Sequence, residues 1–183
     1  MPTEWDAFFD WLMEAEGRVV HHDPDDTGGQ TCWGIARKHH PQWEGWAVVD
    51  RHAPGQPPRA EIEPLVSAFY QKLLASWWLS TPTPLREVLC DIVVNMGAGR
   101  AGRLLQEGVN RRASGQGHLV VDGVVGPKTL AAASQRCTRL LAWDVCLARL
   151  DEYEKIVARK PSQGKFLRGW RNRVASLKRF LSL

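Results

Sequence analysis

The sequence predicts a mostly α protein, a single compact domain with an integral C-terminal helical region. Three observations carry that expectation. Apolar residues recur at helical spacing along most of the chain, whereas no strand run is long enough for a real sheet. At 183 residues, 44% hydrophobic and 24% charged, the composition is that of a folded chain able to bury a core. No stretch approaches the 18 apolar residues of a membrane span. The acidic N-terminus, Met1 to Asp6, lacks the basic and apolar regions of a secretory leader, so none is expected.

Taken in order, Thr3 with Asp6 three residues on caps a first helix, whose stripe is Trp5, Phe8, Phe9, Leu12 and Ala15 and whose stop is Gly17. Residues 18–33 form a long loop rich in Asp, Gly and Pro, too long for a casual connection. Residues 41–58 are a second irregular stretch, broken by Pro54, Gly55, Pro57 and Pro58. Ile62, Leu65, Val66, Phe69 and Leu73 then mark a helix with Pro64 in its first turn. Leu85, Val88, Leu89 and Ile92 mark another, which runs into a break at 95–99, and a further helix covers about 100–112. Residues 114–126 are a loop with a short hairpin around 119–123, followed by a short helix near 127–133. Two last helices carry Leu140, Trp143, Leu147, Leu150 and Tyr153, and Phe166, Trp170, Val174, Leu177 and Leu181. The division expected is 1–87 for a catalytic region and 88–183 for a C-terminal helical region, packed as one unit.

Charge is unevenly placed. Residues 1–26 hold eight acids against one base, while residues 160–183 hold seven bases and no acid, leaving the first 159 residues at a net −3. Such an end suits a polyanionic partner. The four cysteines form no CxxC pair and are expected as reduced thiols. His21-His22 and His39-His40 lack metal-ligand spacing and read as solvated loop residues, so no metal is expected. Neither a phosphate loop nor a nucleophile elbow is present, and no cofactor is expected.

Chemistry concentrates in residues 16–35. Glu16 ends an amphipathic helix beside Gly17; Asp25 and Asp26 follow in a Gly-rich loop; Thr31 lies five residues beyond Asp26. Glycosidic cleavage uses such a set, because one carboxylic acid must donate to the leaving oxygen while a second group supports an oxocarbenium-like transition state or orients water. Glu16 takes the acid role by position, with Glu14 the weaker choice. Asp26 or Asp25 would stay ionised, and Thr31 would hold the attacking water. The alternative is a solvated helix-end acid followed by turn-forming aspartates.

The same segment resembles the glycoside hydrolase family 108 N-acetylmuramidases, whose motif runs Glu-Gly-Gly, a short spacer with Pro, then Asp-x-Gly-Gly-x-Thr-x-x-Gly-Ile. Glu16-Gly17 matches its start, with Arg18 in place of the second Gly, and residues 26–35 match its end. The spacer is one residue longer here. Asp26 has the Asp-x-Gly-Gly context, while Asp25 keeps a nine-then-six spacing between Glu16 and Thr31 that resembles phage lysozymes. Asp26 is favoured and Asp25 stays open. The resemblance continues in order through residues 70–78, 91–97, 103–106, 122–130 and 169–173.

What it implies is a lysozyme-like helical fold and hydrolysis of the β-1,4 bond between N-acetylmuramic acid and N-acetylglucosamine. It also implies a C-terminal half that binds peptidoglycan. Asn95 and, more weakly, Gln106 would hydrogen-bond sugar or stem peptide, and Gly34 and Tyr70 fall within the matched motifs as substrate contacts. Trp33 is weighed between core and platform. Trp43 and Trp46, in the Pro-rich stretch, are the better stacking candidates. The setting expected is an endolysin made in the host cytoplasm and reaching the wall once the membrane is permeabilised.

A monomer is expected. The basic last helix would attract an anionic outer-membrane surface while its apolar stripe packs. Nucleic acid is not expected as a partner. A lytic transglycosylase and a non-catalytic wall-binding protein are the competing assignments.

Overall fold

The computed structural model describes residues 3–21, 29–113 and 118–183, so Asp25 and Asp26 lie outside the described residues. The architecture is mostly α and lysozyme-like, with eight α-helices and one small sheet among the described residues. Two compact units divide the chain, residues 1–75 and 76–183.

In the first unit, α1 (Glu4–Glu16) begins with a reciprocal cap. The Asp6 N–H donates to the Thr3 hydroxyl at 3.2 Å, and the Thr3 N–H donates to the Asp6 carboxylate at 2.8 Å. Its inward stripe is Phe8, Phe9, Trp11, Leu12 and Met13. Gly17, at φ +88°, ends the helix, and its N–H donates to the Met13 carbonyl.

The sequence predicts no sheet, yet three antiparallel strands form one in the order β1 (Val20–His21), β2 (Thr31–Cys32), β3 (Ile35–Ala36). Two-residue strands carry too little alternation to be read. Their pairing depends instead on what holds their ends. The side-chain amide of Gln56 donates to the Val20 carbonyl and accepts from the Val20 N–H, standing in for another strand. Between β2 and β3 lies a two-residue turn with Trp33 at φ +47° and Gly34 at φ +83°, the mirror-type geometry that matches strand twist.

The stretch expected as irregular contains α2 (Gly45–His52), which buries Trp46 and Val49. Its prolines all lie outside the helix, Pro41 before it and Pro54, Pro57 and Pro58 after it, so they delimit the helix rather than exclude it. Trp46 is thus 3% exposed and unavailable for stacking. α3 (Arg59–Ser80) buries Ile62, Val66, Tyr70 and Leu74 at intervals of four. It starts earlier than predicted, placing Pro64 inside the helix, where it forfeits one main-chain donor.

In the second unit, α4 (Leu85–Met96) continues past Asn95, then α5 (Ala98–Arg111), α6 (Pro127–Ser134), α7 (Thr138–Arg159) and α8 (Gly164–Phe180) follow. The hairpin expected at 119–123 does not form. Two side-chain amides of α5 do a strand's work there: Asn110 exchanges both bonds with the Leu119 main chain, and Gln106 accepts from the Gly123 N–H. Gly102 lets the loop close on α5, since a Cβ there would lie 2.2 Å from the Gly123 carbonyl oxygen.

Beneath α8 lies a buried polar cluster. Arg149, with no exposed surface, donates to Asp91 at 2.5 Å and to the Tyr153 hydroxyl at 2.7 Å. Arg173 donates to the other Asp91 oxygen at 2.6 Å. Arg173, one of the seven bases of this end of the chain, therefore points inward, because Asp91 is buried and its charge needs a cation beside it.

Candidate active site

Three elements of the first unit meet at one point. Glu16 is the last residue of α1, half-buried; the Trp33-Gly34 turn is the tip of the β2–β3 hairpin; Tyr70 comes from the middle of α3. Tyr70 is 2% exposed, and its hydroxyl donates to the Trp33 carbonyl at 3.0 Å. That bond, with the Trp33 N–H donating to the Val19 carbonyl at 3.1 Å, seats the tip. Gly34 then closes over the acid. A Cβ at Gly34 would stand 2.6 Å from the Tyr70 hydroxyl oxygen and 2.9 Å from Glu16 Oε2. Any side chain at 34 would displace one of them, and the positive φ adds a backbone reason for glycine. The main chain thus approaches the Glu16 carboxylate closely while Gly34 itself stays exposed.

Thr31 pairs with His21 on one side and Ala36 on the other. Cys32 beside it faces the core with no exposed surface, so strand alternation sends Thr31 to the outer face with His21. Asp25 and Asp26 belong to the connection between these two paired residues. His21, read from sequence as a loop residue, therefore neighbours the proposed water-holding threonine. Nothing local in the sequence signals this, because the pairing joins residues ten apart.

The remaining candidates separate. Trp33 is 4% exposed and presents almost no ring face, so its contribution is the turn it makes. Tyr70 likewise acts through that turn. Trp43 is half-buried, edge-on to Trp46 and Phe69 at ring separations of 5.1 and 6.0 Å, and lines an open cavity of about 750 Å³ with His39, Phe69 and Lys72. A second cavity of about 690 Å³ is lined by Val20 and Gln30, which precede and follow the Asp25–Asp26 connection in the chain, and by Arg37 and Pro54. Arg37 there donates to Gln30 and clamps both oxygens of Asp50, tying the start of β2 to α2.

Asn95 and Gln106 belong to the second unit. Asn95 Oδ1 accepts from the Tyr153 hydroxyl at 2.8 Å and from Arg149 at 3.2 Å, which turns its amide nitrogen away from the cluster. Gln106 is 2% exposed, and its amide is spent on Asp122, Gly123 and Val124. All four cysteines are free. Burial pushes the Cys32 and Cys90 thiols up to about 12 and Cys146 to about 11, removing them as nucleophiles.

Residues 9–97 match the family described as Glycosyl hydrolase 108, and residues 100–175 match the Predicted Peptidoglycan domain. The two matches together make this a glycosidase-type peptidoglycan hydrolase. Residues 9–97 are thus a Glycosyl hydrolase 108 region. The fold of the chain is similar to that of SagA from Brucella abortus, with a TM-score of 0.68 at 23% identity over 97% of this chain and 94% of that one. Comparison with curated proteins gave no match.

Proposed function

We propose that the protein is an N-acetylmuramidase that hydrolyses the β-1,4 bond between N-acetylmuramic acid and N-acetylglucosamine, acting as an endolysin in bacterial lysis. The observation that carries this reading is the Glu16 carboxylate seated against the main chain of Gly34, which is itself exposed. In the reaction Glu16 gives its proton to the glycosidic oxygen as the bond to the anomeric carbon breaks. Asp26, or Asp25, stabilises the positive charge that develops or takes a proton from water. Thr31 holds that water, which adds its oxygen to the anomeric carbon. A water held this way favours inversion of configuration.

The test is mass spectrometry of fragments released from purified peptidoglycan. Wild type is expected to release products with reducing-end N-acetylmuramic acid. Glu16→Gln keeps the shape but has no acidic proton to donate, and activity is expected to fall by about 100-fold or more. Of Asp25→Asn and Asp26→Asn, one is expected to be far more damaging. Equal mild effects would overturn the paired-carboxylate mechanism, and anhydro products would move the enzyme to the transglycosylases. Co-expression with a membrane-permeabilising protein tests the lysis role: lysis by wild type but not by Glu16→Gln is expected.

A further inference from the structure

We propose that the end of the second unit formed by the start of α7 and the finish of α8 docks on an anionic lipid surface. The structure redistributes the basic charge of α8. Arg173 is used internally on Asp91, and Arg171 pairs with Glu154 at 2.5 Å. At the C-terminal end of the helix the pattern changes. Lys178 Nζ sits 3.4 Å from the centroid of the Trp143 ring, and Arg139 donates to the Ser182 carbonyl, so α7 and α8 meet there. Arg136 and Arg179 flank the same junction in sequence.

No acidic side chain occurs between Asp122 and Asp144 or after residue 159. Asp144, next to Trp143, is buried and paired with Arg112. Neither stretch thus supplies an exposed acidic side chain to set against Arg139, Lys178 and Arg179. The patch is also apolar: Leu140 is 49% exposed and Trp143 36%, three residues apart on one helix face. A purely polyanionic polymer would reward the cations and leave Leu140 in water. A lipid surface rewards both, because phosphates meet the cations while Trp and Leu enter the headgroup boundary. Charge complementarity and interleaved apolar side chains together select the lipid.

Co-sedimentation of the full chain with vesicles of phosphatidylglycerol and phosphatidylcholine, against phosphatidylcholine alone, is the test. Binding to the anionic vesicles only is expected. Arg139→Gln and Lys178→Gln should each weaken it about fivefold, and the conservative Arg139→Lys and Lys178→Arg should retain it. Leu140→Ala with Trp143→Ala should weaken it roughly tenfold although no charge changes. Lys165→Gln and Arg168→Gln lie about 15 Å or more along α8 from Lys178 and should change it less than twofold.

Equal loss from those distant variants would overturn the patch, leaving only general basicity. Unchanged binding by the Leu140, Trp143 variant would overturn the lipid assignment. So would binding of isolated peptidoglycan or duplex DNA with the same dependence on Arg139 and Lys178. Hydrolysis of soluble glycan fragments should be equal in all these variants, which keeps failure of docking distinct from failure of the muramidase reading.

Discussion

At Gly34 the needs of the backbone and of the acid coincide. Gly34→Ala would force a side chain into space shared by Tyr70 and Glu16 and hold it at φ +83°. A lower kcat by at least about tenfold with KM nearly unchanged is expected, since the substituted tip displaces the acid rather than the sugar. Steady-state kinetics on soluble fragments check this. A raised KM at unchanged kcat would instead make Gly34 a substrate contact. The place of Glu16 at the helix end was legible, because an apolar stripe that stops at Gly is a local pattern. The part played by Tyr70 was not, since its bond to Trp33 spans 37 residues. A sequence shows that a tyrosine sits on a helix stripe, but not which carbonyl its hydroxyl meets.

Among the elements, α8 is held by charge as well as by its stripe of Val174 and Leu177. Burial acts to raise the Asp91 carboxyl, but the guanidinium groups of Arg149 and Arg173 outweigh it and hold Asp91 below the ordinary carboxylate range. The sign follows from that direction. A depressed folded-state pKa contributes stability that is full above the unfolded value of about 4 and is lost as pH falls through the folded value. Asp91→Asn leaves two cations facing a neutral amide, one of them fully buried. A loss of about 3–5 kcal/mol at neutral pH is expected, along with a flatter acid limb in the stability-versus-pH curve. Denaturant unfolding at pH 7 and near pH 3 measures both. An unaltered curve would mean that the apolar stripe alone docks α8. The helix was readable from its periodicity. The inward turn of Arg173 was not, because periodicity does not distinguish an arginine in water from one answering a buried aspartate.

For the molecule as a whole, the hydrolase match ends at residue 97 and the peptidoglycan-domain match begins at residue 100. Catalysis and retention on the wall should therefore be separable. Glu16→Gln is expected to pellet with insoluble peptidoglycan within about twofold of wild type while releasing nothing, because one neutral isostere leaves the rest of the surface intact. A tenfold or greater loss of pelleting would place the main wall contact at Glu16. Pelleting assays over a range of protein concentrations decide between them.

What the sequence determined by itself was whatever local periodicity and local chemistry encode. That covers a mostly helical chain, the cap at Thr3, the stop at Gly17, the place of Glu16 at the end of its helix and the order of the helices. Tertiary structure decided the rest. Strands of two residues exist only because Gln56 and a positive-φ turn hold their ends. α2 forms in a stretch that proline had marked as irregular, because Trp46 and Val49 find a core to enter. The loop after residue 118 takes its bonds from Gln106 and Asn110 of α5 rather than from a partner strand. These contacts are not part of a helical period, and the longest of them, Gln56 to Val20, spans 36 residues, so they exist only once the chain has folded back on itself.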